Sequence, residues 1–138
     1  MTQTAFFEGI GAPLANPRWS WGAERADGSL VLRVWKKLIR TIDGKKCVLL
    51  LDNASHSAKA RDLGRRERMR HVERIRGGAS FWLVVVEDRP ERPWSIWRAN
   101  EQEVYPGGAL LQRDGDLWVE LRSPVPAEDL VSRGATGA

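Results

Sequence analysis

The sequence predicts an α+β fold in which a curved, mainly antiparallel sheet or a pseudo-barrel is flanked by one main helix. Two observations favour this class. Short runs of alternating apolar and polar residues are separated by Asp-Gly dipeptides, which favour hairpin turns. One longer segment has helical spacing and ends at two glycines, where a helix can finish in the left-handed conformation. With 138 residues, the chain is long enough for one domain with its own core.

The first predicted element is a hairpin over about residues 18–36, turning at Asp27-Gly28. Its second strand alternates Leu30, Leu32 and Val34 with the residues between them. A second turn at Asp43-Gly44 precedes a nearly continuous apolar run at 46–51, which is typical of a strand buried on both faces.

One helix is predicted over about residues 65–76, and Gly77-Gly78 ends it. Met69, Val72 and Ile75 recur at intervals of three, so we expect this face to pack on the sheet. The opposite face carries arginines at intervals of four: Arg66, Arg70 and Arg74. Like charges at that spacing repel, so an anionic partner would stabilise the stripe.

The remaining strands follow the helix. An apolar strand is predicted at 81–86, and we assign its Trp82 to the core. Further strands are predicted at 94–97, at 104–105 before a Gly107-Gly108 break, at 109–111, and at 117–121 after an Asp-Gly turn.

The domain is expected to occupy residues 16–126, between an N-terminal segment at 1–15 and a frayed tail at 127–138. The single Cys47 lies in an apolar run, which predicts a buried thiol in a reducing compartment. No stretch has the pattern of a secretion signal, and none approaches the roughly 20 apolar residues of a membrane span. We therefore expect a soluble, cytoplasmic protein.

Basic charge is concentrated in one segment. The chain has a net charge of +4, yet residues 54–78 alone hold eight basic and three acidic residues, a net +5. The rest of the chain therefore has a net charge of −1. Localised positive charge of this kind favours an anionic partner.

A high tryptophan content is the second notable feature of the composition. The chain has seven tryptophans and one tyrosine. Nucleic acids use both features, since phosphates take the charge and bases stack on aromatic rings at about 1–3 kcal/mol each. Tryptophan is also a good core filler, so structural roles for most of these rings remain the alternative.

The order of elements resembles the PUA-like superfamily, which includes the EVE, ASCH and YTH modules. The resemblance rests on a Trp-bearing hairpin at 16–35, a basic helix and an apolar strand at 81–86, and it covers about residues 16–125. It implies a curved, barrel-like sheet with a concave aromatic pocket for a modified or flipped base. The Gly-x-Lys-x-x-Glu-x-Arg signature of ASCH domains is absent. Relatives of this kind are often fused to nucleases, and cleavage here would require a separate nuclease partner.

The predicted site combines three groups of residues. The stacking candidates are Trp19, Trp21 and Trp35, and the polar readers of the base are Ser20, Asn53 and Ser55. The phosphate contacts are Arg66, Arg70 and Arg74. We expect the partner to be nucleic acid, DNA more than RNA, and we expect no cofactor and no metal ion.

Two other classes stay open. The chain could be a protein-interaction module with the 94–97 stretch as a hydrophobic anchor, because Trp and Arg are also preferred hot-spot residues of protein interfaces. It could also be a small enzyme, with Asp52 or the Glu87-Asp88 pair holding a magnesium ion after a strand.

Overall fold

The computed structural model of the chain describes residues 3–16, 20–52 and 59–130, except for the side chains of residues 59–62, 94, 95 and 97. Two α-helices in these ranges are α1 (Gln3–Gly9) and α2 (Lys59–Arg76), and a single turn of 3-10 helix spans Lys36–Leu38. The strands are β1 (Gly22–Glu24), β2 (Leu30–Trp35), β3 (Ile39–Ile42), β4 (Lys45–Leu51), β5 (Phe81–Arg89), β6 (Arg92–Ala99), β7 (Glu103–Arg113), β8 (Asp116–Leu121) and β9 (Val125–Pro126).

The strands form one mixed sheet in the order β1-β2-β5-β7-β8-β4-β3, with β6 on β5 and β9 on β7. Only β2 and β5 pair in parallel among the described strands, so the predicted α+β class and mainly antiparallel sheet are confirmed. The pseudo-barrel alternative is wrong for these strands, because the sheet is open from β1 to β3. A single main helix is not confirmed either, since α1 also packs into the core through Phe6 and Phe7.

The sheet bends strongly around one side. Strands β2 and β4 are separated by three strands in the sheet order, yet they contact each other directly. Register shifts within the β4–β8 and β7–β8 pairs are irregularities that increase local bending. The curved form of the predicted sheet is consistent with this contact.

The predicted Asp-Gly turns are confirmed. Gly22–Glu24 pairs with residues 30–32 across the Asp27-Gly28 turn, where the Ser29 backbone N–H and hydroxyl both donate to Asp27 Oδ1. The hydrogen bond from the Ser29 hydroxyl is the main cause that lowers the pKa of Asp27. At Asp43-Gly44 both residues have positive φ, 51° and 78°, which matches a two-residue hairpin turn.

The predicted break at Gly107-Gly108 is instead the middle of β7. A Cβ on Gly107 would overlap the Phe81 ring, and a Cβ on Gly108 would overlap the backbone oxygen of Glu120. The two glycines therefore let β7 pass close to its neighbours, and the register shifts there instead of the strand ending.

Two hydrophobic clusters lie on opposite faces of β2. Leu30, Leu32 and Val34 belong to the cluster that contains Val72 of α2, which we call the helix-side cluster. Val31 belongs to the cluster that contains Phe7 of α1, which we call the terminal cluster. This alternation along β2 follows from the period of two of an extended chain.

The core reaches beyond the predicted domain limits of 16–126 at both ends. Ile10 and Leu130 are fully buried in the terminal cluster. The buried Arg25 joins them, because its Nε donates to Ile10 O and its Nη2 donates to Leu130 O, both at 3.0 Å. Of the predicted frayed tail, residues 131–138 lie outside the described ranges.

Helix α2 begins six residues earlier than predicted and ends, as predicted, before Gly77. Its inner face agrees with the prediction at Val72 and Ile75 but not at Met69. Met69 is 47% exposed, while Val72 is buried and Ile75 is half-buried. The other residues that the helix turns toward the sheet are small or polar: Gly64, Glu67, Arg68 and His71.

Candidate functional site

Trp21 is held by α2 at three points. Its backbone N–H donates to Glu67 Oε1 at 2.7 Å, and its carbonyl accepts from Arg68 Nη2 at 2.8 Å. The Arg68 guanidinium carbon also lies 5.6 Å from the centroid of the indole, within cation–π range. Trp21 as a whole is half-buried.

Gly64 makes room for this ring. A Cβ at position 64 would overlap Nε1, Cδ1 and Cε2 of the Trp21 indole. The five-membered part of the indole therefore lies directly on the helix backbone. Glycine inside a helix costs about 0.5–1 kcal/mol relative to alanine, and here it permits the contact between α2 and Trp21.

Glu67 is a buried carboxylate with backbone and side-chain donors. It is 4% exposed, and besides the Trp21 N–H it accepts from the Gly22 N–H at 3.2 Å and from the Ser20 hydroxyl at 3.0 Å. These donors compensate the cost of removing the charge from water. Glu67 thereby fixes the backbone that leads into β1.

Arg68 joins strands that lie far apart in the sheet order. It is 3% exposed, and its Nη1 donates to Leu50 O at 2.7 Å, at the end of β4. Its Nη2 donates to Arg33 O of β2 at 2.7 Å and to the Trp21 carbonyl. Burial lowers the pKa of Arg68 to about 10, which Glu67 opposes, and the guanidinium remains charged at neutral pH. Its Nε has no hydrogen-bond partner in the part of the chain that the structure describes.

Arg33 is half-buried and supplies the second guanidinium of this cluster. It donates to the Ser20 carbonyl and to Gln3 Oε1, and it lies 5.9 Å from the Phe7 ring centroid. Burial lowers the pKa of Arg33 to about 10, while Glu67 raises it. Two guanidinium groups therefore accompany one carboxylate, and the cluster of Arg33, Glu67 and Arg68 has one net positive charge.

His71 lies one turn after Glu67 and Arg68, and it is 5% exposed. Burial is the main cause that lowers its pKa, so the imidazole is neutral at neutral pH. Its Nε2 is 3.9 Å from Glu24 Oε1, and its Nδ1 has no hydrogen-bond partner within the described ranges.

Two segments that contain predicted pocket residues are adjacent in sequence to residues at or near this cluster. Residues 17–19 precede Ser20, whose hydroxyl contacts Glu67, and residues 53–58 follow Asp52. Arg65 Nη1 contacts both the carbonyl and Oδ1 of Asp52 at 2.7 Å. Because one guanidinium, that of Arg68, contacts both Trp21 and Leu50, these two described residues are neighbours in space.

The predicted pocket residues are not brought together in the described part of the chain. Trp19, Asn53 and Ser55 lie outside the described residues. Ser20 is fully buried, and its hydroxyl is bonded to Glu67 and to the Asn16 N–H.

Trp35 packs against the terminal cluster, whereas Trp21 contacts α2 on the other side of the sheet. The structure therefore does not bring Trp21 and Trp35 together.

The predicted phosphate-binding arginines also separate. Arg66 and Arg70 are exposed on the outer face of α2. Arg74 is half-buried, and it pairs with Glu24 Oε1 and donates to Gly28 O, both at 2.6 Å. Arg74 therefore connects α2 to the first hairpin.

The acidic residues considered for a metal site are all in ion pairs. Asp52 pairs with Arg65, Glu87 with Lys36 and Arg98, and Asp88 with Lys37. No group of three or more potential metal-ligating side chains occurs among the described residues. In the same ranges, no helix combines the length and the apolarity that crossing a membrane requires. Cys47 is buried as predicted, and burial raises the pKa of its thiol.

Comparisons with protein-family models, with curated proteins and with solved structures found no match for this chain. The candidate site is therefore described by its own geometry. It consists of a half-exposed tryptophan on a buried cluster with a net positive charge, beside two exposed arginines on the same helix.

Proposed function

We propose that this protein is a nucleic-acid-binding module of the PUA-like kind, which reads a modified or flipped base, in DNA rather than RNA. One observation supports this most. The Arg68 guanidinium contacts both Trp21 and the end of β4. It therefore joins two distant parts of the chain that are next in sequence to predicted pocket residues, Trp19 on one side and Asn53 and Ser55 on the other. A stacking ring between two such segments is a suitable place for a base.

The ligand would bind by stacking and by charge. A base taken out of the stack costs a few kcal/mol, and stacking on an aromatic ring returns about 1–3 kcal/mol. Trp21 is already oriented by Glu67, Arg68 and Gly64, so little further ordering of its ring is needed on binding. The side chains at 53–58 would then contact the edge of the base.

Arg66 and Arg70 would contact the flanking phosphates. They are exposed, one turn apart, on the helix whose inner face holds Trp21. Contacts of this kind position the nucleic acid without reading its sequence. Arg74 would contribute less to phosphate binding than the predicted row of three arginines implied, because it is already paired with Glu24. A separate nuclease would carry out any cleavage.

The test is oligonucleotide binding by fluorescence anisotropy at several salt concentrations. The double variant Arg66→Gln/Arg70→Gln should bind more weakly to every sequence, and the slope of log affinity against log salt should fall by about 2. The matched control is Arg113→Gln/Arg122→Gln, which removes the same charge from exposed positions outside α2. An equal effect of the two double variants would mean that only net charge matters, and no binding by the wild type would refute the proposal.

A protein-interaction module is the second candidate, and one observation favours it. The exposed large hydrophobic side chains among the described residues are Leu63 and Met69, and both lie on α2 near Arg66 and Arg70. Methionine and arginine are enriched at protein interfaces. For this candidate, Leu63→Ser/Met69→Ser should abolish a stoichiometric protein complex and leave oligonucleotide binding unchanged.

A further inference from the structure

We propose that the Trp21 site accepts neutral bases and rejects bases that carry a positive charge, and that Arg68 is the residue responsible. The inference rests on the proposed function and specifies its substrate class. It does not follow from stacking alone, because a tryptophan face attracts cations and would by itself favour a charged base.

The charge of the cluster reverses that preference. The Arg68 guanidinium already lies within cation–π distance of the indole, at 5.6 Å from its centroid. A cationic base stacked on the same ring would therefore be separated from a fixed like charge only by the indole. Glu67 compensates only one of the two guanidinium groups, so the half-buried Arg33 leaves the cluster with a net positive charge.

Burial makes this repulsion strong and persistent. Arg68 is 3% exposed, and three backbone carbonyls fix its position, so it cannot swing away from a ligand. Charges in such a partly dry environment interact several-fold more strongly than in water. They are also screened much less by salt than exposed charges are.

The same cluster suits a neutral base that brings its own negative phosphate. The cluster of Arg33, Glu67 and Arg68 has one unbalanced positive charge. A nucleotide supplies acceptors and negative charge, whereas a cationic base adds a second unbalanced charge. Alkylation at different atoms of one base therefore becomes a direct probe of the site.

The experiment uses two isomers of methyladenine. N6-methyladenine is neutral and N1-methyladenine is cationic at neutral pH, although they have the same size and composition. Each is placed opposite an abasic position in otherwise identical DNA duplexes, so that neither isomer is paired, and a duplex with unmodified adenine is included. Affinities for the wild-type protein are measured by anisotropy at low and high salt.

We expect the N6-methyladenine duplex to bind at least about tenfold more tightly than the N1-methyladenine duplex. The ratio should persist at high salt, because it comes from a buried charge. Trp21→Ala should weaken the binding of both methyladenine duplexes and remove the difference in affinity between them. Trp21→Phe should retain this difference, and Trp35→Ala should leave it unchanged. Thermal melts of each variant identify any loss of folding.

Equal affinities for the two isomers would overturn the inference while leaving the proposed function intact. So would a ratio that survives in Trp21→Ala, or one that disappears at high salt, since either result assigns the discrimination to another site or to the exposed arginines. If the wild-type protein binds none of the duplexes, the proposed function and the inference both fail.

Discussion

The inner and outer faces of α2 are both rich in polar residues, yet they have opposite roles in the structure. On the inner face, Glu67 and Arg68 are almost fully buried, and the hydrogen bonds of both go to backbone groups or to Ser20. On the outer face, Arg66 and Arg70 are exposed beside Leu63 and Met69. Residue type alone does not separate the buried structural arginine from the exposed ones on the same helix, whereas burial does.

The inner face also differs from an ordinary helix–sheet contact. Among the described side chains of α2, which begin at Leu63, the apolar contacts with the core are made by Val72 and Ile75, whereas the contacts nearer Leu63 use a glycine and a charged pair. Apolar packing tolerates changes of similar volume, but a buried charge tolerates little because its partner groups are left unpaired. Substitutions at Gly64, Glu67 or Arg68 should therefore destabilise the fold more than volume-conserving substitutions at Val72 or Ile75.

The largest expected effect is at Arg68. Arg68→Met removes a buried guanidinium, leaves the buried Glu67 without its neighbouring positive charge and takes a donor from three backbone carbonyls, which should lower the free energy of unfolding by about 3–5 kcal/mol. Arg66→Met on the outer face should change the free energy of unfolding by no more than about 0.5 kcal/mol. Urea denaturation of both variants measures the difference. Similar losses in the two variants would show that the two faces do not differ in this way.

A smaller effect is expected at Gly64. Gly64→Ala should cost about 1–3 kcal/mol, because the new methyl group must displace the Trp21 ring. The control is Gly9→Ala, since Gly9 is also helical but has no atom near a Cβ, and this change should stabilise by up to about 1 kcal/mol. Tryptophan fluorescence should change in the first variant and not in the second. A stabilising Gly64→Ala would mean that Trp21 does not pack on the helix.

The smallest effect concerns His71 and pH. Burial lowers its pKa below the ordinary value of 6.5, so just below pH 6.5 the unfolded chain binds a proton that the folded chain does not. The free energy of unfolding should therefore be highest above pH 6.5 and fall as the pH decreases toward the folded-state pKa.

His71→Gln should remove this part of the pH dependence. Denaturation midpoints of wild type and variant on either side of pH 6.5 test it, and His56 contributes equally to both proteins. Parallel pH profiles for the two proteins would contradict a buried neutral His71.

Much of the fold could be predicted from local sequence signals. The Asp-Gly turns and the alternating runs fix hairpins by short-range chemistry, and the glycines at 77 and 78 fix the end of α2. Strand β7 could not be predicted in full, since Gly107 and Gly108 look like a break unless their neighbours, Phe81 and Glu120, are known. The parallel pairing of β2 with β5 depends equally on tertiary contacts.

The site was predicted less completely, for a physical reason. Apolar spacing assigned Met69 to the inner face, but the helix buries Glu67 and Arg68 because partners from distant strands satisfy them. Such partners have no signal in the local sequence. Gly64 is a sign of close packing only once the helix is known to begin before it, at Lys59.

The parallel pairing of β2 with β5 has a consequence for how the chain folds. Leu30 pairs with Phe81 and Trp35 with Val86, so each contact closes a loop that contains β3, β4 and all of α2. The hairpins close much shorter loops and can form early, whereas this pairing has a large entropic barrier to overcome first. We therefore expect the β2–β5 contact to set the folding rate. Refolding should be slow for a chain of this length, and truncating Val31 or Val84 should slow it further.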